Sequence, residues 1–491
     1  MMHSEVPLTK PHREVRFLGP LSSMSDRSAV ALVFVVAMFM DIMDGTIVNT
    51  ALPSIGKEFG TTSPAGLAWI VLGYLLSLAI WIPASGWLGD KFGTKRVFLF
   101  ALAMFTFASV LCGFSHSVTQ LAIFRFLQGI GGGMMTPVGT AMLFREYPPK
   151  DRARASAILV VPTLLAPAIG PVLGGYLTDG LGWRWIFFVN APFGLLMFFF
   201  GLWRLKEYTH HASSKFDPAG FVLSATALGS ILYALNQAEF SGWTSPKVLI
   251  CLIGGIALGI ALVVVENRKD DPLLALRLFR DPVFRTTNII SVFSTASFFG
   301  LILLMPLMLQ GVRGLSAASS GLTTFPQALG VICMSQVVRA LYPKIGPRRL
   351  LIGGLTIAGG LMLCLLFTSE TTNLWVYRGL LFGRGMCWAF VFIPLQAAGF
   401  STVQFADTGR ASSLFSTQRQ VSSSLGIAVL ITLLESQIHA ISGASLNSAA
   451  SFYDAYKVPF FWCAMFAFFA AFASLFLEDD KVLAVLRQKD A

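Results

Sequence analysis

The chain has 491 residues, of which 55% are hydrophobic and only 12% charged, and a formal net charge of +11. Soluble proteins carry about 25% charged residues, so this composition excludes a soluble multidomain protein and points to one embedded in a bilayer.

A helix that crosses a membrane needs roughly 20 consecutive apolar residues. Taken in chain order, such runs occupy residues 28–50, 68–89, 96–115, 119–144, 155–178, 185–205, 217–235, 246–266, 287–310, 318–341, 349–368, 375–398, 409–434 and 456–476. They predict an all-α integral membrane protein with fourteen transmembrane helices, and no segment between them is long enough for a separate folded domain. Residues 1–27 hold charges and three prolines but no short apolar stretch with a cleavage site, so no removable signal peptide is expected.

The basic residues test this count. With the amino terminus inside, the inside segments hold 27 Lys and Arg, whereas the outside loops hold 5: Lys57, Arg184, Lys247, Arg313 and Lys457. Another 4, Arg125, Arg378, Arg384 and Arg419, lie within helices. A miscounted helix would invert this asymmetry downstream, so the positive-inside rule places both termini in the cytoplasm. It also assigns the basic surplus to topology and anionic lipid rather than to nucleic acid. The six cysteines all fall within or beside the runs, and no pair has metal-ligand spacing; small core residues are expected, not a disulfide framework.

An internal repeat divides the chain. After the second run it reads Asp90-Lys91-Phe92-Gly93-Thr94-Lys95-Arg96, and after the tenth Pro343-Lys344-Ile345-Gly346-Pro347-Arg348-Arg349. The glycine and basic pair recur at the same offsets, with proline in place of the acid. The expected organisation is therefore six, two and six: a cytoplasmic tail (1–27), a first six-helix bundle (28–206), a two-helix insert with its linkers (207–284), a second bundle (285–476) and a cytoplasmic tail (477–491). Transporters built from two parallel repeats rock about a central site.

Of 25 acidic residues, only Asp41 and Asp44 fall deep within a run. At 1.5 Å per residue they lie past the midplane of a ~30 Å core, on one helix face. Ionisable groups at that depth are expensive and generally functional. With no histidine deep in a span, these two carboxylates are the leading proton carriers, although either could instead pair with a buried arginine to hold the bundle together. Arg125, with Gln128 one turn on, needs an acidic or backbone partner and could tune a carboxylate or act as a static brace. Gly170 and Gly174 make a small-residue face for a neighbouring helix, beside Pro162, Pro167 and Pro171. Gly86, Gly89 and Gly93 allow tight packing around Asp90, which could face the positive end of the thirteenth helix near Asp407–Ser412. Lys95 and Arg96 also read as topology-setting charges. In the second half Arg384, Arg419 and Gln310 are candidates for a substrate cavity or gate.

Together these motifs resemble the major facilitator superfamily. The segment Gly86-Trp-Leu-Gly89-Asp90 through Arg96 resembles its cytoplasmic signature. Added to it are Met43-Asp44-Gly-Thr46, Arg125-Phe-Leu-Gln128-Gly129, Gly170-Pro171-Val-Leu-Gly174-Gly175, Trp183 through Gly194, Pro306 through Gln310, and Ala411 through Ala428. The whole is similar to the fourteen-span drug:proton antiporters of the EmrB/QacA type. That resemblance implies a coupling role for Asp44, with Asp41 an extra acid; it links Arg125 to proton transfer and takes Gly170, Pro171, Gly174 and Gly175 as an exporter's mark.

The expected function is export of small lipophilic or amphiphilic compounds in exchange for protons, from the bacterial cytoplasmic (inner) membrane, with no cofactor and no metal. A periplasmic adaptor and outer-membrane channel are candidate partners, though the long outside loop at 435–455 does not by itself demonstrate one. A proton-coupled importer on the same fold is the alternative. An ATP-driven pump would need a phosphate-binding Gly-x-x-x-x-Gly-Lys-Ser/Thr loop, which the sequence lacks. A membrane enzyme would need acids or histidines clustered at one interface, whereas Glu266, Asp270 and Asp271 read as a solvated linker.

Overall fold

The computed structural model describes residues 24–60, 64–148, 151–208, 216–269, 272–443 and 449–487. Most of the amino-terminal tail, Asp270, Asp271 and part of the 435–455 loop lie outside them. The described residues are helical apart from turns and short connections. The first bundle comprises α1 (Asp26–Glu58), α2 (Pro64–Phe92), α3 (Thr94–Gly113), α4 (Val118–Glu146), α5 (Arg152–Gly180) and α6, in two pieces (Trp185–Phe188 and Asn190–Arg204). Next come α7 (Pro218–Ser241) and α8 (Pro246–Glu266). The remainder is α9 (Pro282–Gly311), a divided α10 (Ala317–Thr324 and Pro326–Ile345), α11 (Pro347–Cys364), α12 (Leu374–Gly399), α13 (Thr408–Gly443), a divided α14 (Ala449–Ala455 and Lys457–Ser474) and α15 (Asp479–Arg487).

Among the described residues, 12 helices are long and apolar enough to cross a membrane. The 29-residue α4 and α5 lie outside that set; Arg125, Gln128 and a run of glycines dilute the apolar character of α4. The helix α1 has 33 residues and continues through Pro53, where the expected run stops at residue 50. It is therefore about 50 Å long, and Asp41 and Asp44 sit at its middle rather than toward the far end.

Each bundle has its own apolar core, and the two meet at the end that carries the basic turns. There Phe144 of α4 stacks on Phe400 beyond α12, with ring centroids 4.5 Å apart. Nearby, Ser412 and Ser413 of α13 donate to the carbonyls of Pro137 (2.8 Å) and Pro83 (3.0 Å). The α7–α8 pair bridges the seam between bundles. Rings of α2 meet rings at or near α7, Trp81 with Phe221 at 5.6 Å and Trp87 with Phe216 at 4.8 Å, while Trp243 donates to Thr432 of α13.

Both basic turns are built alike. Gly93 and Gly346 take φ of 94° and 85°, a left-handed region that disfavours any side chain. An acid lying just past the last long helix of the same bundle then caps the helix that follows the turn. Glu207 accepts from the backbone N–H groups of Lys95 (3.0 Å) and Arg96 (3.2 Å), and Asp479 from that of Arg348 (3.1 Å). Such caps satisfy orphan N–H groups and oppose the positive end of the helix. Glu266 departs from the solvated linker expected of it. It is 2% exposed and accepts from the Leu274 N–H at 3.1 Å, beside Asp217, which caps α7 and pairs with Lys269.

Removing the first cap tests its contribution. Glu207→Ala is expected to destabilise the protein by about 1–2 kcal/mol, seen as a lower thermal-unfolding midpoint in detergent, whereas Glu207→Gln, which keeps an acceptor, loses less.

Candidate functional site

The middle of α1 holds a fully desolvated polar network. Asp44 is 0% exposed. One carboxylate oxygen pairs with Arg125 Nη1; the other accepts from Gln128 Nε2 at 2.9 Å and Asn190 Nδ2 at 3.2 Å. Arg125 also donates to Gln128 Oε1 (2.8 Å) and the Ile70 carbonyl (3.2 Å), and its guanidinium lies 4.2 Å from the centre of the Tyr74 ring. The three-residue spacing of Arg125 and Gln128 puts both on one face of α4. Asn190 arrives because α6 breaks at Val189 and restarts there, and it donates again to Ser109 Oγ at 3.1 Å.

Asp41, one turn away, has a different setting. It is half-buried and accepts from two neutral hydroxyls, Tyr74 Oη and Thr136 Oγ1 (3.1 Å). No ion pair within contact distance links Asp41 to a base among the described residues. Tyr74 joins the two acids, its ring under Arg125 and its hydroxyl on Asp41. The chemistry of the two therefore differs: Asp44 is an ion-paired carboxylate, Asp41 a hydroxyl-held one.

The glycines of α5 meet this helix. A methyl group on Gly170 would strike Thr46, and one on Gly174 would lie 3.0 Å from the Ile47 carbonyl oxygen. Gly175 has open space around it and takes no part in the contact. Pro171 instead borders a cavity of about 70 Å³ between the bundles, shared with Gln310 and Gln327. Behind Gln327 lies Arg384, buried; Arg419 is half-buried.

At the basic-turn end Asp90 is buried and accepts from Arg145 Nη2 at 2.8 Å. Its carboxylate abuts Gly409, at the start of α13. Gly86 packs so tightly on the same residue that an added methyl would lie 2.9 Å from the Gly409 carbonyl oxygen, whereas Gly89 makes only ordinary contacts. Arg96 is exposed, 3.7 Å from Glu207. Asp407, just before α13, pairs with Arg277 at 2.7 Å.

Four of these partners, Tyr74, Thr136, Arg145 and Glu207, are not among the residues singled out from the sequence, and Asn190 falls within the Trp183–Gly194 motif without a role assigned to it. A signal existed for Asn190, the one side-chain amide in the apolar stretch Ile186–Trp203. Tyr74 and Thr136 carry no comparable mark.

Residues 34–427 match the Major Facilitator Superfamily. A protein named Multidrug resistance protein B homolog from Mycobacterium tuberculosis is 35% identical over 427 residues, 85% of this chain and 79% of its own length. Multidrug resistance protein 3 from Bacillus subtilis is 30% identical over 82% of this chain and 79% of its own. Among solved structures, the human organic anion transporter MFSD10 (TETRAN) shares the fold with a TM-score of 0.62 at 14% identity, covering 90% of this chain and 100% of that one. The chain belongs to the major facilitator superfamily: it is a multi-pass membrane transporter of small molecules and not an enzyme.

The buried pair can be tested for its part in stability. Asp44→Ala leaves Arg125 uncompensated and is expected to cost about 3–5 kcal/mol. Adding Arg125→Leu to it should restore part of that loss. Unfolding midpoints of the single and double variants in detergent would show the coupling, and strict additivity would contradict it.

Proposed function

We propose that this member of the superfamily exports small lipophilic or amphiphilic compounds in exchange for protons, by alternating access across a bacterial cytoplasmic membrane. On this reading α4 and α5 cross the bilayer with the other twelve helices, arranged as six, two and six, and both termini face the cytoplasm. The charge asymmetry of the sequence supports that topology, and the names of its relatives support drug export.

The observation that carries the coupling is the Asp44–Arg125–Gln128–Asn190 network with Asp41 one turn away. In the cytoplasm-facing state the cavity loads cargo with the carboxylates ionised. In the outward-facing state a proton reaches Asp41, the more open of the pair, and neutralises Asp44. Arg125 then loses its counter-charge but keeps the Gln128 and Ile70 acceptors, so the α1–α4 contact weakens and α1 shifts against the glycine face of α5. Cargo leaves outward, and the proton leaves to the cytoplasm on return. Each charge moved down the membrane potential supplies about 2.3 kcal/mol per 100 mV. The contacts of Asp90 and Gly86 with Gly409 of α13 hold the basic-turn end closed and must part for loading, while the Asp90–Arg145 pair lies within the first bundle.

Proton flux in everted vesicles on addition of candidate drugs tests this directly. Asp44→Asn is expected to abolish drug-linked flux, and Asp41→Asn to slow it. Undiminished flux in both and in the double variant would sink the proposal, and cargo-driven uptake into intact cells would replace it with import.

A further inference from the structure

The second bundle buries an arginine that no acid accompanies among the described residues. Arg384, in the middle of α12, is 1% exposed. Its Nη1 donates to Gln327 Oε1 at 2.7 Å and its Nη2 to the Ser297 carbonyl at 3.1 Å, both neutral acceptors. Among the described residues Nε has no hydrogen-bond partner. The guanidinium lies 5.1 Å from the centre of the Trp388 ring, whose buried indole N–H is also without an acceptor.

An arginine cannot shed its charge, and a desolvated charge without a counter-charge is costly. The first bundle meets the same constraint by setting Asp44 against Arg125. Here the described residues provide no equivalent, yet two donors without partners among them, Arg384 Nε and the Trp388 indole N–H, lie near each other. Gln327, whose amide oxygen accepts from Arg384 Nη1, also borders the 70 Å³ cavity between the bundles. That volume is several times the ~10–15 Å³ a single water requires. Most of the wall is apolar, from Pro167 and Pro171 of α5 to Leu301 and Met305 of α9, and Ser320 contributes a buried hydroxyl with no partner.

We infer that Arg384 is an anchor for an anionic headgroup, so that amphiphilic organic acids are a cargo class of this transporter. The carboxylate displaces Gln327 from Arg384, exchanging a neutral acceptor for a charged one that binds about twice as strongly. The apolar body of the acid then rests on the proline and leucine wall. This rests on the export reading and names a substrate class for it.

The test uses the full chain in lipid nanodiscs, with 1-pyrenebutyrate and its uncharged methyl ester as matched probes and binding followed by fluorescence. Wild type should bind the acid in preference to the ester. Arg384→Gln should weaken acid binding about tenfold or more while leaving the ester within about twofold, and Arg384→Lys, which keeps the charge without the fork, should fall between. Gln327→Ala, which uncovers the guanidinium, should tighten the acid and serves as the readout if Arg384→Gln does not fold. Equal binding of acid and ester by wild type, an equal loss of both in Arg384→Gln, or no gain in Gln327→Ala overturns the inference. Drug-linked proton flux in wild-type vesicles is measured separately, so this assignment and the export mechanism fail independently.

Discussion

A charge taken into a bilayer must be answered by another charge or by hydrogen bonds, because no water is there to solvate it. Asp44 and Arg125 answer each other, and much of the first bundle is arranged around that pair. It fixes the rotation of α1 against α4. It draws in the restart of α6 through Asn190 and sets Tyr74 of α2 beneath the guanidinium. Four helices thus converge on one ion pair, and any change in its protonation acts on all of them. The same interaction that braces the bundle is the one best placed to release it.

The two bundles share a frame and differ in charge. Each basic turn pivots on a left-handed glycine and is capped by an acid from beyond its own last long helix, Glu207 in one and Asp479 in the other. Their interiors are not alike: one holds a paired arginine and two acids, the other an arginine held by neutral oxygens. The contact between bundles is also one-sided. Asp90 stands against the start of α13, whereas its counterpart Pro343 has no charge to offer.

Much of the helical architecture was legible because bilayer thickness forces apolar runs of near-constant length. Helix ends were less so. Apolarity falls at residue 50, but the backbone of α1 stays helical to Glu58 in spite of Pro53 and Gly56, both poor formers of a helix interior. Depth along the helix alone singles out Asp41, Asp44 and Arg125; it does not identify their partners. A tyrosine or threonine in an apolar run is unremarkable until folding sets it against a carboxylate. Glu266 was misjudged for the opposite reason: its neighbours along the chain are charged, while its neighbours in space are Asp217 and the Leu274 amide. Gly175 shows the limit of motif reading, since it adjoins Gly174 in sequence but faces away from α1.

The α7–α8 pair has a consequence for how a greasy molecule can arrive. Two parallel bundles leave two seams open to the lipid, one between α2 and α13 and one between α5 and α10. Tryptophan and phenylalanine rings bind the inserted pair to α2, and Trp243 ties it to α13, so it lies over the first seam like a strip of tape. A solute dissolved in the acyl chains finds that doorway covered. Sideways entry from the bilayer is left to the α5–α10 seam, where Pro167 and Pro171 border the cavity.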